Sequence, residues 1–132
     1  MDENTELTIK QKDLVTLVSK NGIGDVLKPL QKEIYLFDTY VAGTSHLEDK
    51  EVLKTLQIND QLILRREDNK FDKKAILVLT QDQKKIGYVP EKDNVVFSRL
   101  MDAGKLLTAK ILNISEKGTY THISIGIYLI DF

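Results

Sequence analysis

The spacing of hydrophobic positions along the chain changes near residue 34. Between residues 11 and 20, apolar side chains recur at intervals of three and four residues, which predicts an amphipathic helix: Leu14, Val15, Leu17 and Val18. Asn21-Gly22 follows and is typical of a helix end, because glycine accepts the left-handed conformation there. We therefore predict a helical extension over residues 1–33 and a separate domain over residues 34–132.

From residue 34 onward, β-branched and aromatic residues occur in short runs typical of strands. The predicted strands cover residues 34–42, 62–64, 75–79, 85–89, 106–114 and 120–130. Tyr35 and Tyr88 fall within these runs and are expected to point into the core. Two helical patterns are inserted, over residues 48–56 and 93–103, and Asp93 or Asn94 is a suitable N-cap for the second. About six strands with two inserted helices predict a mostly β fold, a small closed or partly open β-barrel.

Composition narrows the class of protein. The chain is 42% hydrophobic and 30% charged, which is typical of a folded domain and not of a disordered one. It contains no cysteine, which excludes disulfides and thiolate zinc sites. The acidic start lacks the features of a signal peptide, and no apolar run approaches the roughly 20 residues of a membrane span. We predict a cytoplasmic protein without membrane contact, associated with the nucleoid if it is bacterial.

Positive charge is concentrated in one segment, although the formal net charge is −1. Residues 65–92 hold eight basic and five acidic side chains, an excess of three positive charges. Such an excess fits a surface that binds phosphate, and it fits equally a lysine-rich hairpin that is simply exposed to solvent. Charge alone leaves both interpretations open.

The polar loop between the second and third predicted strands carries the most chemistry. It combines cations that can meet phosphate with the ring of Phe71, which can stack on a base for roughly 1–3 kcal/mol. Asp72 can accept a hydrogen bond from a sugar hydroxyl, which makes it a candidate for recognising a strand end. In the alternative interpretation, Asn69 and Asp72 only organise the turn and Phe71 anchors the loop to the core.

Several motifs in and around this loop resemble those of the HIRAN domain family, and they occur in the same order. They are Ala42-Gly43, Leu64-Arg65-Arg66-Glu67, Asn69-Lys70-Phe71-Asp72, Ala75-Ile76-Leu77-Val78 and Ile86-Gly87-Tyr88-Val89-Pro90. The resemblance covers residues 34–114 together with the last strand. It differs at Ser45 and His46, where the members that bind DNA ends have an arginine and an aromatic residue, and at Asp68, which replaces a proline.

The resemblance implies an OB-like barrel that binds DNA. In family members that capture the 3′ end of single-stranded DNA, the aromatic residue and the aspartate of the N-x-Y/F-D motif contact the terminal nucleotide. By position, these are Phe71 for stacking and Asp72 for the 3′-hydroxyl. The expected interface comprises Arg65, Arg66, Lys70 and Lys73 on phosphates, Phe71 and His46 on bases, Asp72 on the hydroxyl, and Asn69 and Ser45 beside them.

We therefore predict a nucleic-acid-binding module for single-stranded DNA or DNA 3′ ends, acting in DNA repair, replication or mobile-element processing. We predict no enzymatic activity, no catalytic residue and no cofactor. The chain has only two histidines, His46 and His122, so we predict no metal site. A protein-interaction module that docks a partner enzyme, such as a helicase or nuclease, is the alternative. A metal nuclease that uses Glu67, Asp68 and Asp72 is a weaker one.

Overall fold

Six strands form one sheet in the computed structural model, which describes residues 32–131. In chain order the strands are β1 (Lys32–Tyr40), β2 (Gln61–Glu67), β3 (Ala75–Leu79), β4 (Lys85–Tyr88), β5 (Leu106–Lys117) and β6 (Tyr120–Asp131). They are antiparallel and lie in the order β1-β6-β5-β2-β3-β4. The mostly β fold and the six strands are confirmed. The predicted helical extension over residues 1–33 lies almost entirely outside the described residues.

The predicted barrel is wrong in one respect, because the sheet is not closed. Closure would require a continuous ladder between the edge strands β1 and β4. Within residues 32–131 only an isolated bridge connects these edges, with Ala42 and Tyr88 exchanging backbone hydrogen bonds of 2.8 and 2.9 Å. β4 is four residues long and is soon followed by Pro90, which lacks the N–H needed to extend the pairing.

Gly87 makes this single bridge possible. A Cβ atom at this position would lie 2.3 Å from the carbonyl oxygen of Ala42 and 2.4 Å from Cγ1 of Val41. Only a residue without a side chain allows the two backbones to approach so closely. The bridge in turn places the Ala42-Gly43 step beside the end of β4.

The inserted helices differ from their predicted form. The first predicted helix is a 3₁₀ helix over Lys50–Thr55, and a second 3₁₀ helix covers Thr44–His46. The α-helix, α1 (Glu91–Asp102), begins two residues before its predicted start and has Pro90 as N-cap. Proline suits a helix start because its missing N–H is not needed there. Asn94 is therefore not the cap, and its side chain lies buried within the first turns.

One cluster of buried side chains lies between the sheet and α1. It includes Leu62, Leu64, Ile76, Val78, Ile123, Ile125, Ile127 and, from the helix, Phe97. On β2 the buried side chains alternate with more exposed ones, as expected for a sheet with one face in the core. The expectation for Tyr35 is wrong because 55% of its surface is exposed. Among residues 32–131, no helix has the length and apolar character required to span a membrane.

Candidate nucleic-acid interface

We call the loop between β2 and β3, residues 68–74, the central loop. It is shorter than predicted because β2 continues to Glu67, which pairs with Ala75 of β3. Asn69 organises it. The Asn69 Oδ1 atom accepts hydrogen bonds from the backbone N–H groups of Phe71 (2.9 Å) and Asp72 (2.7 Å), while Nδ2 donates to Glu67 Oε1 (2.7 Å). The turn fixed by these bonds directs the side chain of Phe71 outward.

Phe71 is the most exposed large hydrophobic residue of the described chain. Its exposed fraction is 87%, and the Lys70 ammonium group lies 5.2 Å from the ring centroid. The alternative interpretation in which Phe71 anchors the loop to the core is therefore wrong. An exposed ring beside a cation is the combination that stacks on a base while neutralising a nearby phosphate.

Asp72 is half-buried, and both of its carboxylate oxygens are engaged. Oδ1 accepts a hydrogen bond from the backbone N–H of Lys74, and Oδ2 accepts one from Nδ2 of Asn94, both at 2.8 Å. Asp72 thus makes the turn contact that the alternative interpretation assigned to it. A carboxylate has about four acceptor positions, so these two bonds leave it able to accept a further donor.

Arg65 and Arg66, the two residues before the last residue of β2, point to opposite faces of the sheet, as consecutive strand residues do. Arg66 donates to both carboxylate oxygens of Asp102 at 2.8 and 3.3 Å. It also donates to the carbonyls of Ala75 (2.7 Å) and Lys73 (2.9 Å). Arg65 is exposed and donates to Oε1 of Gln83 at 2.8 Å. The sequence predicted that both arginines bind phosphate. In the structure, Arg66 is bonded to the protein, whereas Arg65 is exposed.

A second polar chain links β2 to β4. Tyr88 Oη donates to Glu67 Oε1 at 2.7 Å and accepts from Lys85 Nζ at 3.3 Å. The hydrogen bond from Tyr88, followed by that from Asn69, lowers the pKa of Glu67. Burial, followed by the bond to Glu67, raises the pKa of Tyr88. Tyr88 is half-buried and is not enclosed in the core as predicted.

An open cavity of about 300 Å³ lies between the central loop and the Ala42-Gly43 step. That volume is at the lower end for a small-ligand site. Its walls are formed by Ala42, Gly43, Asn69, Phe71, Asp72, Ala75, Tyr88, Val89 and Glu91. We call it the loop cavity. It brings together three predicted site residues, Asn69, Phe71 and Asp72.

The remaining predicted residues lie around this cavity and not within its walls. Lys70 and Lys73 are exposed on the central loop, and Ser45 and His46 are exposed in the 3₁₀ helix Thr44–His46. His46 borders a neighbouring concavity of about 510 Å³, whose walls also include Lys84, Lys85, Glu48 and Asp49. The buried Thr44 hydroxyl fixes this helix by donating to the carbonyl of Thr121 at 2.9 Å.

Sequence reasoning did not assign Asn94, Glu91 or Lys85 to the site. Their positions depend on contacts between distant segments, and the only signal for Lys85 was its place in the cationic segment. Within residues 32–131, no group of three or more His, Asp or Glu side chains is arranged to hold a metal ion.

Comparison with known proteins gives one family and two similar folds. The profile of the HIRAN domain matches residues 34–129. A protein from Lactobacillus plantarum, known from a crystal structure, is 25% identical with a TM-score of 0.72, over 77% of this chain and 99% of that one. The HIRAN domain of human HLTF is 14% identical with a TM-score of 0.60, over 76% of this chain and 78% of that one, and this likeness concerns the fold alone. None of the curated proteins matches the chain.

The HIRAN domain is a nucleic-acid-binding module and not a catalytic domain. Its profile matches well over half of this chain, and the match includes every strand that forms the loop cavity. The chain therefore belongs to the HIRAN domain family.

Proposed function

We propose that this domain binds single-stranded DNA at its 3′ end and that the loop cavity receives the terminal nucleotide. The observation that carries the proposal is the exposed ring of Phe71 beside the Asp72 carboxylate on one wall of an open cavity. The ring supplies a surface for the last base, and the carboxylate supplies an acceptor for the last hydroxyl. Both groups are held by the same hydrogen-bonded turn around Asn69.

The charge of the cavity favours a hydroxyl end over a phosphate end. Asp72 and Glu91 are the ionisable carboxylates among its nine lining residues, and none of those nine carries a positive charge. A terminal phosphate would place two negative charges beside these carboxylates, which is unfavourable at short range. A terminal hydroxyl would instead donate to Asp72.

Phosphates farther along the strand would meet cations outside the cavity. Lys70 and Lys73 flank Phe71 on the central loop, and Arg65 and Lys85 lie on β2 and β4. Lys85 is 4.6 Å from the ring centroid of Tyr88, which lines the cavity, and it also borders the neighbouring concavity beside His46. We place the leaving strand along this path, with His46 stacking on a base and Ser45 beside it. Arg66 then serves to hold the loop, because its donors are already bonded.

A binding titration with labelled oligonucleotides tests the proposal. The probes are a single strand with a 3′-hydroxyl, the same strand with a 3′-phosphate, and a circular strand without ends. We expect the 3′-hydroxyl strand to bind about tenfold more tightly than the other two, the effect of one hydrogen bond to a charged group. Equal binding of all three would refute recognition of the end, and absence of binding would refute the interface.

Such a module would act in DNA repair, replication or the processing of mobile elements, where free 3′ ends arise. The competing function is a protein-interaction module that docks a helicase or nuclease. The feature that favours it is an apolar groove of about 360 Å³ between β1 and α1, bordered by Phe37 and Val96. The two functions differ in their response to salt. Contact of the four cations with about four phosphates gives a slope near −3 in a plot of log affinity against log salt, whereas an apolar contact responds little.

A further inference from the structure

Asn94 is a polar side chain enclosed by the protein. It lies in the first turns of α1 with 2% of its surface exposed, and its Nδ2 atom is 2.8 Å from Oδ2 of Asp72. Because an ionised carboxylate only accepts hydrogen bonds, the amide nitrogen and not the amide oxygen must face Asp72. Burying an amide costs free energy unless it is hydrogen-bonded, so this contact fixes both partners.

The contact with Asn94 holds the second oxygen of the Asp72 carboxylate, which no residue of the central loop does. Asn69 and Arg66 hold backbone atoms of the central loop, while Asp72 Oδ1 bonds to the backbone of Lys74. Among these bonds, only the one from the Lys74 N–H reaches the Asp72 carboxylate, and it holds a single oxygen. The bond from Asn94 to Oδ2 is the second point that defines the carboxylate plane, and it comes from a rigid helix 22 residues away.

We propose that Asn94 is a positioning residue that orients the Asp72 carboxylate toward the terminal hydroxyl and thereby determines the preference for hydroxyl ends. This inference rests on the proposed function. Asn94 does not line the loop cavity and would not touch the strand. Its effect passes through Asp72, so it alters the distinction between ends and leaves contacts with phosphates and bases unchanged.

The preference is measured with two strands that differ only at the terminus, one with a 3′-hydroxyl and one with hydrogen in its place. Both strands carry the same charge. The dissociation constant of the 3′-deoxy strand divided by that of the 3′-hydroxyl strand therefore reports the hydroxyl contact. In Asn94→Leu, of similar size but without a donor, we expect the ratio to fall about tenfold toward one. The affinity for the 3′-deoxy strand should stay within about twofold of the parent's.

Ser98→Ala is the matched control. Ser98 lies one turn further along α1, is 1% exposed, and donates within the helix to the carbonyl of Val95 at 3.0 Å. Its removal disturbs the same helix without touching Asp72. We expect this variant to lose stability while retaining the parent's ratio of dissociation constants.

Asn94→Asp provides a second test within one folded variant. Two carboxylates at hydrogen-bond distance repel each other when both are ionised, and they share one proton when the pH is lowered. Charged groups near Asp72 include Arg66, with which it interacts electrostatically, Asp68 beside Arg66, and Glu91 of the loop cavity. Lys73 and Lys74 follow Asp72 on the central loop. In this variant we expect the preference to be lost at pH 8 and regained at pH 5, where the shared proton replaces the amide donor. The parent's ratio should change little.

The outcomes separate the two proposals. If the parent does not distinguish the two ends, the proposed function fails and this inference fails with it. If the parent distinguishes them and Asn94→Leu retains the same ratio, only the role of Asn94 is refuted. If Asn94→Leu does not fold, Asn94→Asp decides, and a ratio equal to the parent's at both pH values refutes the role.

Discussion

The Tyr88 hydroxyl donates a 2.7 Å hydrogen bond to Oε1 of Glu67 and so connects the edge strand β4 to the end of β2. The same carboxylate oxygen accepts from Nδ2 of Asn69. One glutamate therefore joins the wall of the loop cavity to the residue that organises the central loop. The carboxylate accepts these bonds more strongly when it is ionised, which connects the stability of this region to pH.

Glu67→Gln should lower the free energy of unfolding by about 1 kcal/mol at pH 7, because glutamine keeps an acceptor oxygen but loses the charge that strengthens the bonds from Tyr88 and Asn69. Because the fold lowers the pKa of Glu67, the stabilisation is fully present above its ordinary value of 4.5 and is lost as the pH falls through the folded value. The difference between parent and variant should therefore shrink between pH 5 and pH 3. Urea unfolding at these pH values measures it.

Glu48→Gln is the control for this titration, because Glu48 is exposed. We expect it to follow the parent at every pH. A constant difference between Glu67→Gln and the parent from pH 7 to pH 3 would contradict the linkage.

Phe71→Ala should separate binding from stability. With 87% of Phe71 exposed, its removal should change the midpoint of thermal unfolding by no more than about 2–4 °C. Loss of a stacking ring should weaken single-stranded DNA binding about tenfold or more. Phe71→Tyr, which retains the ring, should bind like the parent. A large loss of stability in Phe71→Ala would show that the ring packs against the protein.

Arg65→Ala and Arg66→Ala form a matched pair of neighbouring charge removals. Arg66→Ala removes the ion pair with Asp102 and the donors to two loop carbonyls, so we expect a loss of roughly 2 kcal/mol in the free energy of unfolding. Arg65→Ala should leave stability nearly unchanged and make the salt slope of DNA binding shallower by about 0.7. Chemical unfolding and titrations at several salt concentrations distinguish them. Equal effects on stability would contradict the separation of the two side chains.

Gly87→Ala should destabilise the domain by roughly 1–3 kcal/mol, because the added methyl group meets the carbonyl oxygen of Ala42 at 2.3 Å. Gly118→Asn is the control, since Gly118 has open space around it and asparagine tolerates its positive φ of 65°. Thermal unfolding compares them. Parental stability in Gly87→Ala would mean that the bridge between Ala42 and Tyr88 is not required.

The strands could be predicted because alternation reports directly which side of a sheet meets the core. The open sheet could not be predicted, because closure depends on whether the edge strands β1 and β4 pair with each other. Local sequence patterns do not encode pairing between such distant segments. The end of β2 was also missed. Arg65 and Glu67 are polar and resemble a loop in isolation, yet their backbones pair with β3.

The site shows the same division. The turn chemistry of Asn69 and Asp72 was readable because it acts within a few residues. The partners of Asp72 and Arg66 on α1 were not, since each lies more than 20 residues away in sequence. Asn94 was predicted as an N-cap from its residue type, and Pro90 displaced the helix start so that Asn94 became an interior donor.

The opposite orientation of Arg65 and Arg66 determines how β2 responds to deletions. Deleting one residue from the middle of β2 would move Arg65 and Arg66 to opposite faces from those they now occupy. Arg66 would then point to solvent, and Asp102 would lose its cation. Two deletions would preserve the orientation and cost only strand length. The segment should therefore tolerate the deletion of an even number of residues better than the deletion of an odd number.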